Sequence, residues 1–203
     1  ELQILLGEVR VAKGADGSDG QLRVKSGTGI LNDLNDSTKT NIIADSVVLE
    51  GGTGSIGRLG DNPDAKDRIY MDLRAGAIVT ARSTNEIVLT ERDGDFLVGT
   101  LFSAGSDVDV QTLNGSILDG LGNDLVNIEA NNIILSATGG SIGTSTNELE
   151  LEARDANNGL LILDATANIF VREEGEMRIF EVVSTGGAGT QVRLTAEDDM
   201  LDA

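Results

Sequence analysis

The chain has 203 residues, 15 of them Lys or Arg and 34 Asp or Glu, for a net charge of −19, with no His, Cys or Trp and a single Tyr. Such a surface repels nucleic acid and anionic membrane, and the missing His and Cys remove the commonest general base, the commonest transition-metal ligand, disulfides and thiolate sites. No run of about eighteen apolar residues is present to span a bilayer, and the scarcity of aromatic rings leaves little for stacking on sugars or bases.

Short strand phrases follow one another from the N-terminus. Leu2–Leu6 and Val9–Ala12 come first, then a turn at Asp16–Gly20 made of residues that accept positive φ. Leu22-x-Val24 is a strand, and Gly29-Ile30-Leu31 is a glycine corner with an apolar plug. Ile42-Ile43 and Val47-x-Leu49 lead to a second corner, Gly54-Ser-Ile56-Gly57. Asp61–Asp67 is an insertion that holds Pro63, the only proline. Ile69-x-Met71-x-Leu73, Ile78-Val79 and Ile87-x-Leu89 resume the alternation, and Asp93-Gly-Asp95 turns the chain. Phe96–Val98, Val108-x-Val110, Ser116–Leu118 and Ile133-x-Leu135-x-Ala137 then lead to a third corner, Gly140-Ser-Ile142-Gly143. Leu149-x-Leu151-x-Ala153, Leu161-x-Leu163-x-Ala165, Ile169-x-Val171 and Val192-x-Leu194-x-Ala196 complete the series.

These phrases repeat. The Gly-Ser-Ile-Gly corners at Gly54 and Gly140 lie 86 positions apart. Ile87 aligns with Ile169, 82 positions on, and Gly94–Ala104 aligns with Gly175–Thr185, 81 positions on. The unit is therefore about 80–90 residues, with copies over 1–93, 94–174 and a partial 175–203. The chain opens at Glu1 and stops at Ala203 in mid-phrase. It reads as a single continuous segment of something longer.

A period of two marks half-buried strands, and no window carries the i, i+3, i+4, i+7 pattern of a helix. Sandwiches favour aromatic cores and tight Asn-Gly hairpins; stacked coils favour small and β-branched plugs with Gly and Asn at the corners. The Φ-x-Φ-x-Ala phrases fit the second pattern. The expected fold is all-β, a parallel β-solenoid of about seven to nine coils, each unit making about three coils of three faces. Ile56, Ile133, Leu135, Ile142, Leu149, Leu151, Leu161, Leu163, Val192 and Leu194 are the expected inward core.

Ala130–Gly143, with Asn147-x-Leu149-x-Leu151 after it, resembles the repeats of filamentous-haemagglutinin-like adhesins and the giant repetitive exoproteins of Gram-negative bacteria. That resemblance covers nearly the whole chain. It implies a right-handed parallel β-helix serving as a stalk, fibre or adhesive shaft on the bacterial cell surface, with no catalytic residues to carry over.

The expected function is accordingly a structural extracellular rod without catalysis. Its partners would be flanking repeats or identical subunits stacked end to end, with a surface receptor also conceivable. Two alternatives stay open. A calcium-stiffened surface- or glycan-binding helix would draw its oxygen ligands from Asp61, Asp64 and Asp67, three carboxylates on one loop. Lys66 and Arg68 among them offset that charge, so a solvated insertion is the plainer reading. A polysaccharide-active helix would need carboxylates gathered on one face, and Asp93/Asp95, Glu173/Glu174 and Glu197–Asp199 fall instead in turn phrases. No cofactor is expected beyond that calcium.

Overall fold

Alternation sets one face of each strand inward, and the glycine corners let the chain turn after only a few residues. The computed structural model describes residues 3–14, 20–34, 36–59, 67–154 and 159–202. The first half holds β1 (Ile4–Leu6), β2 (Val9–Arg10), β3 (Gln21–Lys25), β4 (Ile30–Asn32), β5 (Ile42–Ile43), β6 (Ser46–Gly52), β7 (Ile69–Met71), β8 (Ile78–Ser83), β9 (Ile87–Glu91) and β10 (Phe96–Ser103). The second holds β11 (Val108–Thr112), β12 (Ile117–Asp119), β13 (Ile128–Ala130), β14 (Ile133–Ala137), β15 (Leu149–Ala153), β16 (Leu161–Ala165), β17 (Ile169–Glu173), β18 (Met177–Ser184), β19 (Val192–Ala196) and β20 (Met200–Asp202).

Two long sheets enclose one core. The first runs β2-β5-β7-β9-β11-β14-β16-β18-β20, and the second β3-β6-β8-β10-β13-β15-β17-β19 with β12 also on β10. Among the described residues all paired strands run parallel. This is the expected β-solenoid. Nine strands stack in eight steps, about 38 Å at roughly 4.8 Å per step.

The core is a set of ladders. Ile87, Val108, Ile133 and Leu161 stand in register, as do Leu89, Val110, Leu135 and Leu163, and all are fully buried. Each such side chain contributes about 1.5–3 kcal/mol by leaving water. The corner plugs join the same ladders. Ile56 bridges Ile30 and Ile87, and Ile142 bridges Ile117 and Ile169. Gly57 and Gly143 follow the plugs at φ of 67° and 65°. A Cβ on Gly143 would meet the Phe170 carbonyl oxygen at 2.0 Å, and one on Gly57 the Val88 oxygen at 2.4 Å. Glycine is thus required twice, at the same place in each copy, by backbone hand and by close approach.

The expected three coils of three faces per unit is corrected by the register. From Ile30 the ladder climbs through Ile56, Ile87 and Val108, three full coils. Ile117, the counterpart of Ile30 in the next copy, lies half a coil further on, paired to β10 in the other sheet. The unit therefore advances three and a half coils between two faces. Consequently β5 and β7 belong to the first sheet, while their counterparts β13 and β15 belong to the second.

Eight of the ten expected core residues are fully buried. Val192 is the correction, while Leu194 packs against the core and is partly buried. They pair in register with buried Ile169 and Val171, yet Val192 is 48% exposed and Leu194 partly so. The reason is position: β19 is the edge strand of its sheet, and among the described residues no further coil covers it.

Candidate functional site

The loop proposed for calcium lies mostly outside the described residues. Asp61 and Asp64 lie outside them; Asp67 is exposed, and its backbone oxygen accepts the Arg58 N–H at 2.9 Å. Among the described residues no group of three or more Asp or Glu is placed to hold a metal ion.

Among the described residues, the alternation carries other carboxylates inward. Glu91 ends β9 and Glu173 ends β17, and both are buried. They occupy equivalent positions in the two copies. Glu91 Oε1 accepts the Leu73 N–H at 3.1 Å, and Glu173 Oε1 accepts the Ala153 N–H at 2.7 Å. In each the second oxygen, Oε2, is buried with no hydrogen-bond partner. Desolvation raises the Glu91 carboxyl to about 8 and the Glu173 carboxyl to about 7. The expectation that Glu173 falls in a turn phrase is thereby overturned, because the strand continues one inward position past Val171 before the chain turns.

A groove opens beside Glu173, and another beside Leu73 and Asp93, whose N–H groups Glu91 accepts. One of about 420 Å³ is lined by Glu152, Glu173, Glu176 and Arg178 among others. Its counterpart in the first copy, about 340 Å³, runs past Leu73, Asp93, Gly94 and Asp95. Asp93 and Asp95 are partly spoken for there: Asp93 Oδ1 accepts from Asn114 Nδ2 at 2.7 Å, and Asp95 Oδ1 from the Ser116 N–H at 2.8 Å. On the second sheet the Phe102 ring is met by the Arg82 and Arg154 guanidinium groups, each 4.8 Å from its centroid.

A third acidic element stands on β15. Buried Asn127 fixes its backbone, accepting the Glu150 N–H at 3.1 Å and donating to Asp119 Oδ1 at 2.7 Å. Asn41 does the same in the first copy, accepting from the Tyr70 N–H at 2.9 Å and donating to Asn32 Oδ1 at 2.8 Å. Glu150 is 3% exposed, and its Oε2 has no partner. Burial first, then Asp119, raises its carboxyl to about 7.

No protein-family model matches the chain, and no curated protein or solved structure is significantly similar to it.

The two copies also carry one ion pair with its charges exchanged. Arg68 reaches over β9 to Asp109 at 2.7 Å, and it further donates to Thr90 Oγ1 at 2.6 Å and the Leu89 carbonyl at 2.8 Å. In the second copy Glu148 takes the place of Arg68 and reaches over β17 to Arg193 at 2.5 Å. Sequence alternation alone makes Glu148 an outward residue of little consequence, whereas the structure gives it a partner 45 positions away. The first pair is nearly buried and the second is half open, at 47% exposure for the Arg193 side chain. Asp109→Ala should therefore cost about 2 kcal/mol by stranding a buried guanidinium, while Glu148→Ala should cost under about 1 kcal/mol. Urea midpoints measure both, and equal losses would contradict this ranking.

Proposed function

We propose that the chain is a segment of an extracellular rod, the shaft of a large bacterial surface adhesin or filament, and that its role is structural. The observation that carries this reading is the register across the copies. The unit ends half a coil out of phase, yet its ladders pass without a break from one copy into the next, so coils can be added along the axis indefinitely. Such a repeat serves length, since stacked units contact only their neighbours. The resemblance to giant surface proteins supports the location. The charge of −19 supports axial rather than lateral association, because like-charged shafts repel.

Inserting a second copy of residues 94–174 after residue 174 should lengthen the particle by about 17 Å, three and a half steps of roughly 4.8 Å. Its cross-section should stay constant in small-angle scattering. An unchanged maximum dimension, or a thicker particle, would reject the rod. Surface exposure is tested separately, by digestion with added protease on intact producing cells: loss of the chain supports it, and full protection rejects it.

A further inference from the structure

The groove in front of Glu150 has a filled equivalent in the first copy. Register makes Tyr70 the counterpart of Glu150, since Tyr70 pairs with Thr90 and Glu150 with Arg172, the corresponding residues of the next strand. In the first copy the space is filled by the chain itself. The Tyr70 ring is buried with the Arg92 guanidinium 4.6 Å from its centroid, and beside it Arg68 lays a guanidinium across a hydroxyl, a carbonyl and a carboxylate. In the second copy both residues have become carboxylates, Glu150 and Glu148. Bulk has been lost, and the sign has been reversed.

What remains is a polar groove of about 240 Å³, bounded by Asp124, Ser145, Thr146, Asn147, Glu148 and Glu150. Two arginines also border it. Arg193 is held by Glu148 and by the Ser145 carbonyl, and Arg172 by Glu197 through one end of its guanidinium, its Nε being buried without a hydrogen-bond partner. The Asp119 oxygens are taken by the Leu121 and Gly122 N–H groups and by Asn127. Glu150 Oε2 is left buried and unpartnered at the groove, with Asp124 at its mouth. A buried carboxylate without a partner carries a standing desolvation cost, which a cationic donor would relieve.

We infer that this groove is a binding site for a guanidinium group, of the kind an arginine side chain of a partner protein would supply. Glu150 accepts in the floor, Asp124 at the entrance, and the Ser145 and Thr146 hydroxyls on the flank. These acceptors stand on several sides of one groove. A planar fork of N–H donors suits it better than a point charge does. The site is independent of the rod reading, since it concerns one face of one copy.

The test is titration of the full chain with methylguanidinium, n-butylammonium and calcium, followed by backbone amide shifts at pH 8.5. Saturable shifts confined to residues 143–150 and Asp124, tighter for methylguanidinium than for butylammonium, are expected. Glu150→Gln should weaken that binding at least tenfold. Asp124→Asn, an exposed change that leaves the fold alone, should weaken it about threefold. Affinity should also fall as the pH is lowered through 7, where Glu150 takes up a proton in a field set by Asp119, Asp124, Glu148, Arg172 and Arg193. Absence of saturation, equal binding by Glu150→Gln, or a preference for calcium or butylammonium at these residues would overturn the inference.

Discussion

Denaturant midpoints measured at pH 5, 7 and 9 should fall steadily as the pH rises, and Glu91→Gln combined with Glu173→Gln should flatten that fall. Both carboxyls are raised in the folded state, to about 8 and about 7, from about 4.3 in an unfolded chain. Over that window the folded chain binds more protons than the unfolded one, so stability declines with pH. Their contribution is whole below about pH 4.3 and is lost as the pH climbs through 7 and 8. For Glu91 the loss is on the order of 3–5 kcal/mol. Glutamine keeps the oxygen that accepts the Leu73 or Ala153 N–H and cannot ionise. The carboxylates of Asp36, Asp45 and Glu50 act in the opposite sense. Hydrogen-bond donors lower them, the Thr38 hydroxyl for Asp36, the Gly20 N–H for Asp45 and Lys25 for Glu50, so stability is also lost at strong acid. The maximum should lie near pH 5. A double variant whose midpoints fall as steeply as the parent's would show that these two groups are not the cause.

Ile142→Asp should be the most damaging single change, at more than about 4 kcal/mol. Ile142 is fully buried and stacked between Ile117 and Ile169. Its N–H and C=O are committed to the Asn168 oxygen at 2.9 Å and the Phe170 N–H at 2.7 Å, so the backbone cannot swing the side chain out to water. A carboxylate there would lose its hydration with no donor to replace it, and three coils would feel the change at once. Ile142→Val, which removes one methylene, should cost only about 0.5–1.5 kcal/mol. The pair is compared by thermal and urea unfolding; similar losses for the two would mean that the corner opens to admit water.

Much of this was legible in the sequence because the fold is written in a period of two. Ile133-x-Leu135-x-Ala137 and Leu161-x-Leu163-x-Ala165 announce their own faces, and the glycine pairs around Ile56 and Ile142 announce the corners. The buried acids were legible too, had the same rule been carried one step further. Ile87-x-Leu89-x-Glu91 and Ile169-x-Val171-x-Glu173 place glutamate where other phrases have alanine, so the alternation itself turns them inward. Charge suggested a turn, and the pattern outweighed it. Other features could not be read in this way. Asn41 and Asn127 stand in loops, where asparagine is ordinary, and their importance comes from contacts spanning about 30 positions in each direction. The exchanged ion pair crosses an intervening strand and is visible only once the coil length is known. That length varies from about 20 to about 30 residues because loops of different size separate equal strands.

The half-coil left over in each unit has a geometric outcome for anything bound along the solenoid. Loops that interrupt the first sheet in one copy interrupt the second in the next, so like surfaces recur on the same flank only at every other unit, about 34 Å apart at roughly 4.8 Å per coil. A partner reading one flank would meet its contact on alternate units. Two partners could occupy the two flanks in a staggered file, each blind to the other's spacing.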